Sequence, residues 1–230
     1  MGKRKVVGIV VAGGTGTRLK SRIRKPFVRL AGRPMLSWTL AAFQKARSVD
    51  GIVVVVHPTD IKAAKRLIRS SRIAKVTAVV PGGNSRTASV YQGLKALPLE
   101  AEWVLVHDGA RPLVTPEIIE ETLKAARRSE AAIAAVPVVP TIKRGEGGWV
   151  AETLNRNHLW AVQTPQVFRR RLIEQAHAYG ARKGLTATDD AALVERLGRR
   201  VRIVMGSHRN IKVTTPEDLV IAEAFLRNGQ

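Results

Sequence analysis

Short runs rich in Val, Ile and Ala recur along the chain, separated by stretches whose apolar positions return every three or four residues. The runs Val6–Val11, Ile52–His57, Lys75–Val80, Trp103–His107, Ile133–Val138 and Val201–Met205 are nearly continuous in apolar character, as expected of parallel strands buried on both faces. The helical pattern covers Pro34–Ala46, Asp60–Ser70, Ser85–Leu97, Pro116–Ser129, Arg169–Tyr179, Thr188–Leu197 and Pro216–Arg227. Two of these helices carry start signals. Thr115-Pro116-Glu117 and Thr215-Pro216-Glu217-Asp218 each set a Thr cap before a Pro at the first helical position, with acids in the first turn. Strand–helix alternation predicts a Rossmann-like α/β fold, a doubly wound and mostly parallel sheet with right-handed crossovers. One segment breaks the rhythm: Thr141–Arg144, a Gly-rich turn at Gly145–Gly148 and Trp149–Thr153 read as an inserted β-hairpin. A lone hairpin is marginal in water, so it needs a partner surface, in its own domain or on another subunit.

Composition narrows the picture. The 230 residues are 45% hydrophobic and 25% charged, which excludes whole-chain disorder. No apolar run approaches the ~20 residues of a membrane-spanning helix. The basic, then apolar N-terminus imitates a signal peptide, but its apolar part ends at Ala12 in a Gly-rich loop, so it reads as a first strand. With no Cys, disulfide scaffolds, thiolate metal sites and cysteine nucleophiles are excluded, and the cytoplasm is the expected location. The 39 Lys and Arg against 18 acids give a net charge of +21. That balance favours polyanionic partners without choosing among them. The basic residues are scattered, and aromatics are only 4%, too few for a base-stacking platform. A basic solvated surface is the plainer account, with no specific nucleic acid and no membrane as partner.

Candidate chemistry begins where the first strand meets Ala12-Gly13-Gly14-Thr15-Gly16-Thr17-Arg18-Leu19. In an open α/β sheet this is a loop where ligands bind. Its glycines let backbone N–H groups approach a polyphosphate, while Arg18 and Lys25 supply neutralising charge. The string matches neither the dinucleotide fingerprint nor the ATPase loop. A second Gly-rich turn, Pro81-Gly82-Gly83-Asn84-Ser85-Arg86-Thr87-Ala88-Ser89, opens the third helix. His107 and Asp108 are adjacent on an extended segment, so their side chains point to opposite faces and form no dyad. None of the five His residues shows metal-ligand spacing, and Asp189 and Asp190 read as helix N-terminal acids. Arg169–Arg171 reads as a solvated helix start.

AGGTGTRL followed by KPFVRLAGRPML resembles the signature of nucleotidyltransferases that join a nucleoside triphosphate to a phosphorylated small molecule. Three further stretches narrow it: PGGNSRTASV; VHDGARP from Val106 to Pro112; and Asn210–Thr214. With Arg156-Asn157, Leu159-Trp160 and Gln163-Thr164-Pro165-Gln166, they resemble the 2-C-methyl-D-erythritol 4-phosphate cytidylyltransferase (IspD) family from end to end. The resemblance implies a single domain over 1–230 of the nucleotide-diphospho-sugar transferase type, with a β-arm at about 138–160 used for dimerisation. It implies transfer of CMP from CTP to methylerythritol 4-phosphate, releasing pyrophosphate, with Mg²⁺ accompanying CTP. Arg18, Lys25, Arg156 and Lys212 match catalytic cations. Ala12, Gly13, Gly14, Gly16, Gly83, Asn84, Arg86, Ser89, Asp108 and Gly109 match positions around the nucleotide. Asp108, Arg111, Thr141, Arg156, Thr164, Thr188 and Lys212 match acceptor contacts, and Asp108 is also the candidate metal ligand. The implied homodimer lets the arm, and Arg111 with it, reach a neighbouring site. Such a reaction needs positioned cations more than acid–base groups, because the attacking phosphate oxygen is already ionised. Cytidylyl transfer to another polyol phosphate such as ribitol 5-phosphate, a sugar-1-phosphate nucleotidyltransferase, and a basic nucleic-acid-binding protein remain the competing readings.

Overall fold

The computed structural model describes residues 5–14, 16, 19, 23–185 and 187–227. In chain order the elements are β1 (Lys5–Ala12), the short pair β2 (Arg29–Leu30) and β3 (Arg33–Pro34), α1 (Met35–Lys45), β4 (Gly51–Val56), α2 (Ile61–Ser70) and β5 (Val76–Pro81). Then come α3 (Arg86–Lys95), β6 (Ala101–Asp108), α4 (Pro116–Ser129), β7 (Ala131–Pro137), β8 (Lys143–Glu146) and β9 (Trp149–Thr153). The chain finishes with β10 (Trp160–Arg169), α5 (Arg170–Arg182), α6 (Asp190–Arg196), β11 (Arg202–Met205) and α7 (Pro216–Arg227).

A seven-stranded sheet in the order β11-β7-β10-β6-β1-β4-β5 forms the frame. Every pairing in it is parallel except those of β10, which runs antiparallel between β6 and β7. The strands alternate strictly between two cores, because successive side chains leave a strand on opposite faces. Val6, Val10, Val54, Val56 and Leu105 meet α1, α2 and α4 on one face. Val7, Ile9, Val53, Val55, Val104 and Val106 meet α3, α5 and α6 on the other. This is the Rossmann-like doubly wound fold that the alternation predicts. The Thr caps are as predicted: Thr115 Oγ1 accepts from Ile118 N and Thr215 Oγ1 from Asp218 N, and Asp218 Oδ2 adds reciprocal bonds from Thr214 N and Thr215 N.

The strand β10 is absent from the sequence reading. Gln163, Thr164, Pro165 and Gln166 interrupt its apolar run, and a Pro within a run argues against a central strand. The register indeed shifts between Val162 and Gln166, and the polar side chains there are satisfied by neighbouring loops. The hairpin is present but shorter than Thr141–Thr153. It closes through Gly147 and Gly148, both at positive φ, the backbone that a two-residue hairpin turn requires. Both its strands are exposed throughout, with Trp149 81% accessible.

Candidate functional site

After β1 the chain crosses to β4 and β5, then returns to place β6 on the other side of β1. The carboxyl ends of β1 and β6 therefore flank the point where strand order reverses, the position at which open α/β sheets bind ligands. A cavity of about 610 Å³ lies there. Ala12, Gly13, Gly14 and Gly16 line it after β1, Gly83, Asn84 and Ser85 after β5, and Asp108 and Gly109 after β6; Lys25, Arg86 and Lys212 add cations. Gly16, at φ +71°, packs so closely on Lys25 that a Cβ there would lie 2.6 Å from the Lys25 Cβ. Gly83 is bound in the same way to α3, where a Cβ would meet Ala88 Cβ at 2.6 Å. The glycines thus let the loops lie flat against the elements that bear the cations. Ser85 caps α3 by accepting from Ala88 N at 3.0 Å, which sets Arg86 at the helix start.

A chain of alternating charges crosses the cavity wall. Lys212 Nζ stands 2.6 Å from Asp108 Oδ2, and Arg86 Nε 3.0 Å from Asp108 Oδ1. Arg86 Nη1 then reaches Asp190 Oδ2 at 2.7 Å, and His177 Nε2 lies 3.0 Å from Asp190 Oδ1. Burial works to raise the Asp108 pKa, but Arg86 and Lys212 overcome it and hold the carboxyl well below the carboxylate range. Burial likewise opposes ionisation of Asp190, yet the bond from His177 and the charge of Arg86 keep it ionised. Burial also works against the Arg86 cation, which Asp190 and Asp108 outweigh, raising its pKa. Arg86 Nη2 is buried with no hydrogen-bond partner among the described residues.

Behind this chain lies a buried polar ladder. Arg111 O, 3.3 Å from His107 Nε2, can only accept, so the neutral His107 ring carries its proton on Nε2. Its Nδ1 then accepts from the Thr164 hydroxyl at 2.9 Å, while Thr164 Oγ1 accepts from Asp108 N at 3.1 Å. Burial pushes the His107 pKa down from 6.5 to about 3, with Arg111 and Arg86 reinforcing the shift against Asp108. Its ring packs on Phe43 on the sheet face away from Asp108's partners, so the two form no dyad. Asn210 Nδ2 donates to Gln163 Oε1 and Thr164 O, and Gln166 Oε1 accepts from Asp190 N and Ala191 N. These amides join β10 to the loops that carry Lys212 and Asp190.

The structure brings together at the cavity Ala12, Gly13, Gly14, Gly16, Lys25, Gly83, Asn84, Arg86, Ser89, Asp108, Gly109 and Lys212. Arg18 lies outside the described residues. Ser89 sits beneath the loop, with its hydroxyl donating to Ser85 O at 2.8 Å and accepting from Gly83 N. Thr164 is buried in the ladder rather than lining the cavity. Arg111 donates from Nη1 to Asn210 O and from Nη2 to Val162 O, so its guanidinium ties two loops of its own chain. Thr141, Arg156 and Thr188 are exposed and line no part of the cavity; Arg156 Nη1 donates to Val139 O at the base of the hairpin. Asp108, the candidate metal ligand, stands by itself as a carboxylate among the described residues of the cavity lining. Each of its oxygens meets one cation, and no group of three or more His, Asp or Glu among the described residues could hold an ion, so a metal here would need the nucleotide's phosphates as further ligands. Arg169 and Arg170 are not simply solvated. Arg169 pairs with Glu130 at 3.0 Å, and Arg170 with Glu174 at 2.7 Å. Sequence reasoning passed over Asp190, His177, Gln163, Gln166 and Asn210 as site residues. The available signal was a pair of Gln residues inside an apolar run; Asp189 caps α6 as expected, while Asp190 turns inward instead.

The family described as IspD, 2-C-methyl-D-erythritol 4-phosphate cytidylyltransferase, matches residues 6–228. A Geobacillus thermodenitrificans protein with that enzyme name is 49% identical over 218 residues, 95% of each chain. One from Desulforamulus reducens is 47% identical over 224 residues, 96% of each. Among solved structures, the Anaerococcus prevotii 4-diphosphocytidyl-2C-methyl-D-erythritol synthase superposes with TM-score 0.88 at 32% identity, covering 97% of this chain and 96% of its own. The Thermus thermophilus cytidylyltransferase gives TM-score 0.80 at 38% identity, covering 95% and 98%.

Proposed function

From a chain that belongs to the 2-C-methyl-D-erythritol 4-phosphate cytidylyltransferase family, we infer that the cavity between β1, β5 and β6 is where CTP yields its cytidylyl group. The activity is CTP-dependent cytidylyl transfer in the methylerythritol phosphate route to isoprenoid precursors, with pyrophosphate as leaving group. The observation that carries the placement is Asp108, held ionised between Arg86 and Lys212 at the switch point of the sheet. The pair fixes Lys212 Nζ at the mouth of the glycine loops, a position suited to an acceptor phosphate. The loops at Gly13–Gly14 and Gly83 offer backbone N–H groups to the nucleotide, Lys25 faces the triphosphate, and the family resemblance gives Arg18 the same task.

The reaction proceeds by in-line attack of an acceptor phosphate oxygen on the CTP α-phosphate. That oxygen bears no proton at neutral pH, so no general base is needed. His107 supports this economy, being neutral, enclosed and committed to Thr164 and Arg111. What remains is to bring two anions together and stabilise the charge that grows on the leaving pyrophosphate, the work of fixed cations. The described residues build no metal site of their own. Mg²⁺ therefore enters this reading as a companion of CTP, neutralising phosphate oxygens when bound.

The site is completed, in this reading, by a second copy of the chain. Thr141 and Arg156 belong to the exposed arm around β8 and β9 and are absent from their own cavity wall. A C₂ homodimer in which each arm crosses would add them to the neighbour's acceptor pocket. The direct test is pyrophosphate release with CTP, ATP, GTP and UTP against a panel of polyol and sugar phosphates. Turnover with CTP and methylerythritol 4-phosphate is expected; turnover only with a hexose 1-phosphate would overturn the reading.

A further inference from the structure

We propose that His177 is a positioning residue for the cavity. By holding one oxygen of Asp190, it orients that carboxylate so that Arg86 divides its guanidinium between Asp190 and Asp108. The role is a step removed from the substrates, since His177 projects from α5 and does not line the cavity. Its significance for turnover rests on the reading of that cavity as the active site.

The argument turns on how the guanidinium is spent. A planar guanidinium and a carboxylate pair best as a two-pronged fork, with two parallel N–H···O bonds. Arg86 has the means for that fork with Asp190: Nη1 already bonds Oδ2 at 2.7 Å, and Nη2 is buried with no partner. The second prong is not made, because Asp190 Oδ1 is turned away from Nη2. That oxygen already takes His177 Nε2 at 3.0 Å. The His177 side chain is 2% exposed and the Asp190 side chain 1%, so no bulk water competes for the bond. Since Asp190 is ionised, Nε2 is the donor. An anionic oxygen can accept more than one bond, so what His177 supplies is orientation: with Oδ1 drawn toward α5, only Oδ2 meets the guanidinium, and Arg86 Nε remains 3.0 Å from Asp108 Oδ1. Asp108 Oδ2 in turn holds Lys212 Nζ at 2.6 Å.

Without a donor at position 177, Asp190 Oδ1 becomes a buried, unpaired anion oxygen, and the guanidinium already bonded to its carboxylate holds an unspent donor, Arg86 Nη2. The guanidinium then closes the fork on Asp190 and turns Nε away from Asp108. Lys212 keeps one carboxylate oxygen, but that carboxylate loses the bond that fixes its plane. The consequence belongs to acceptor binding more than to the chemical step.

The experiment compares His177→Leu, which removes the donor at similar bulk, with His177→Gln, whose amide nitrogen falls near the place of Nε2. Two readouts are taken on the full-length protein. One is the Arg86 Nε–H signal in ¹⁵N-resolved NMR, assigned by its loss in Arg86→Lys. The other is the split between KM and kcat for methylerythritol 4-phosphate in pyrophosphate release at saturating CTP. His177→Leu is expected to shift the Arg86 signal and raise the acceptor KM about tenfold, the scale of one charge-assisted hydrogen bond. Its kcat should stay within about twofold of the parent. His177→Gln should restore both. An unmoved Arg86 signal in the Leu variant overturns the proposal, and so does a raised KM that Gln leaves uncorrected. If the signal moves and Gln restores it while acceptor KM never changes, the guanidinium is divided as described but the positioning role is wrong, as is the acceptor reading of the cavity. Should the Leu variant not fold, His177→Asn, whose donor is too short to reach Asp190, is read against the same outcomes.

Discussion

His107 gives this fold a built-in sensitivity to mild acid. In the native chain its Nδ1 accepts the Thr164 hydroxyl proton and its Nε2–H faces Arg111 O. Protonating Nδ1 would place an ionic charge in an enclosed site and would force the Thr164 hydroxyl to turn its proton away, losing the bond it now donates. The folded pKa is accordingly pushed down from 6.5 to about 3, led by burial. The unfolded chain therefore binds more protons than the native one between those values, so stability is full above pH 6.5 and is lost as pH falls. Each pH unit in that window costs about 1.4 kcal/mol, and the 1.5 units from pH 6.5 to 5 remove about 2 kcal/mol. The assay is urea unfolding of the parent and His107→Phe at pH 7.5, 6 and 5. The Phe ring retains the packing against Phe43 but does not titrate. The variant is expected to be less stable at pH 7.5, having lost two hydrogen bonds, yet its stability should fall about 2 kcal/mol less on going to pH 5. The remaining histidines are common to both proteins and cancel in the comparison. Parallel pH profiles would refute the argument, since they would mean His107 takes up its proton in the native state as readily as in the unfolded chain.

Other outcomes are open to direct measurement. Lys25→Ala and Arg18→Ala should each lower turnover on the order of 10²–10³-fold with the fold intact by circular dichroism, as expected for removal of a charge-stabilising donor; near-parental turnover in both would remove these cations from the mechanism. In a mixed dimer of an Arg18→Ala subunit with one altered at both Thr141 and Arg156, one site collects all the damage and the other none, so activity should reappear; a purified heterodimer as inactive as its parents would refute the crossing arm. Double-stranded DNA should bind the +21 surface weakly, without sequence preference and with a steep loss as salt rises; nanomolar, sequence-selective binding at physiological salt would contradict a merely basic surface.

The parallel strands β1, β4, β6 and β7 were legible because burial on both faces makes each of them a nearly unbroken apolar run. The edge strands β5 and β11 show the same apolar run while partly exposed. β10 was not legible, because the residues that make it useful, Gln163 to Gln166, look like a break when its partners are unseen. The glycine loops at Gly13 and Gly83 were legible for a related reason: close backbone approach leaves a compositional trace. The partners of Arg86 left none. Asp190 stands 104 positions away at a helix start, where an acid is already explained by the helix dipole, and His177 looks like any polar position on α5. Arg111 was read as a group to be shared across an interface, yet in its own chain it already ties Asn210 to Val162. Composition can suggest that a charge is present; only the folded chain says how it is spent.

The hairpin leaves the sheet from β7 and re-enters it at β10, and these strands are hydrogen-bonded neighbours up to the contact of Val138 N with Leu159 O at 3.1 Å. The excursion therefore begins and ends at one point of the frame. Residues added or removed in matched pairs along β8 and β9 change the reach of the arm without moving the register of any strand beneath it. Lineages can lengthen, shorten or repaint this projection while Asp108, Lys212 and the glycine loops stay where they are. On the crossing-arm reading proposed above, chimaeras exchanging residues 139–158 between relatives should fold on the recipient's sheet while taking their subunit arrangement, and the arm's share of the neighbouring site, from the donor.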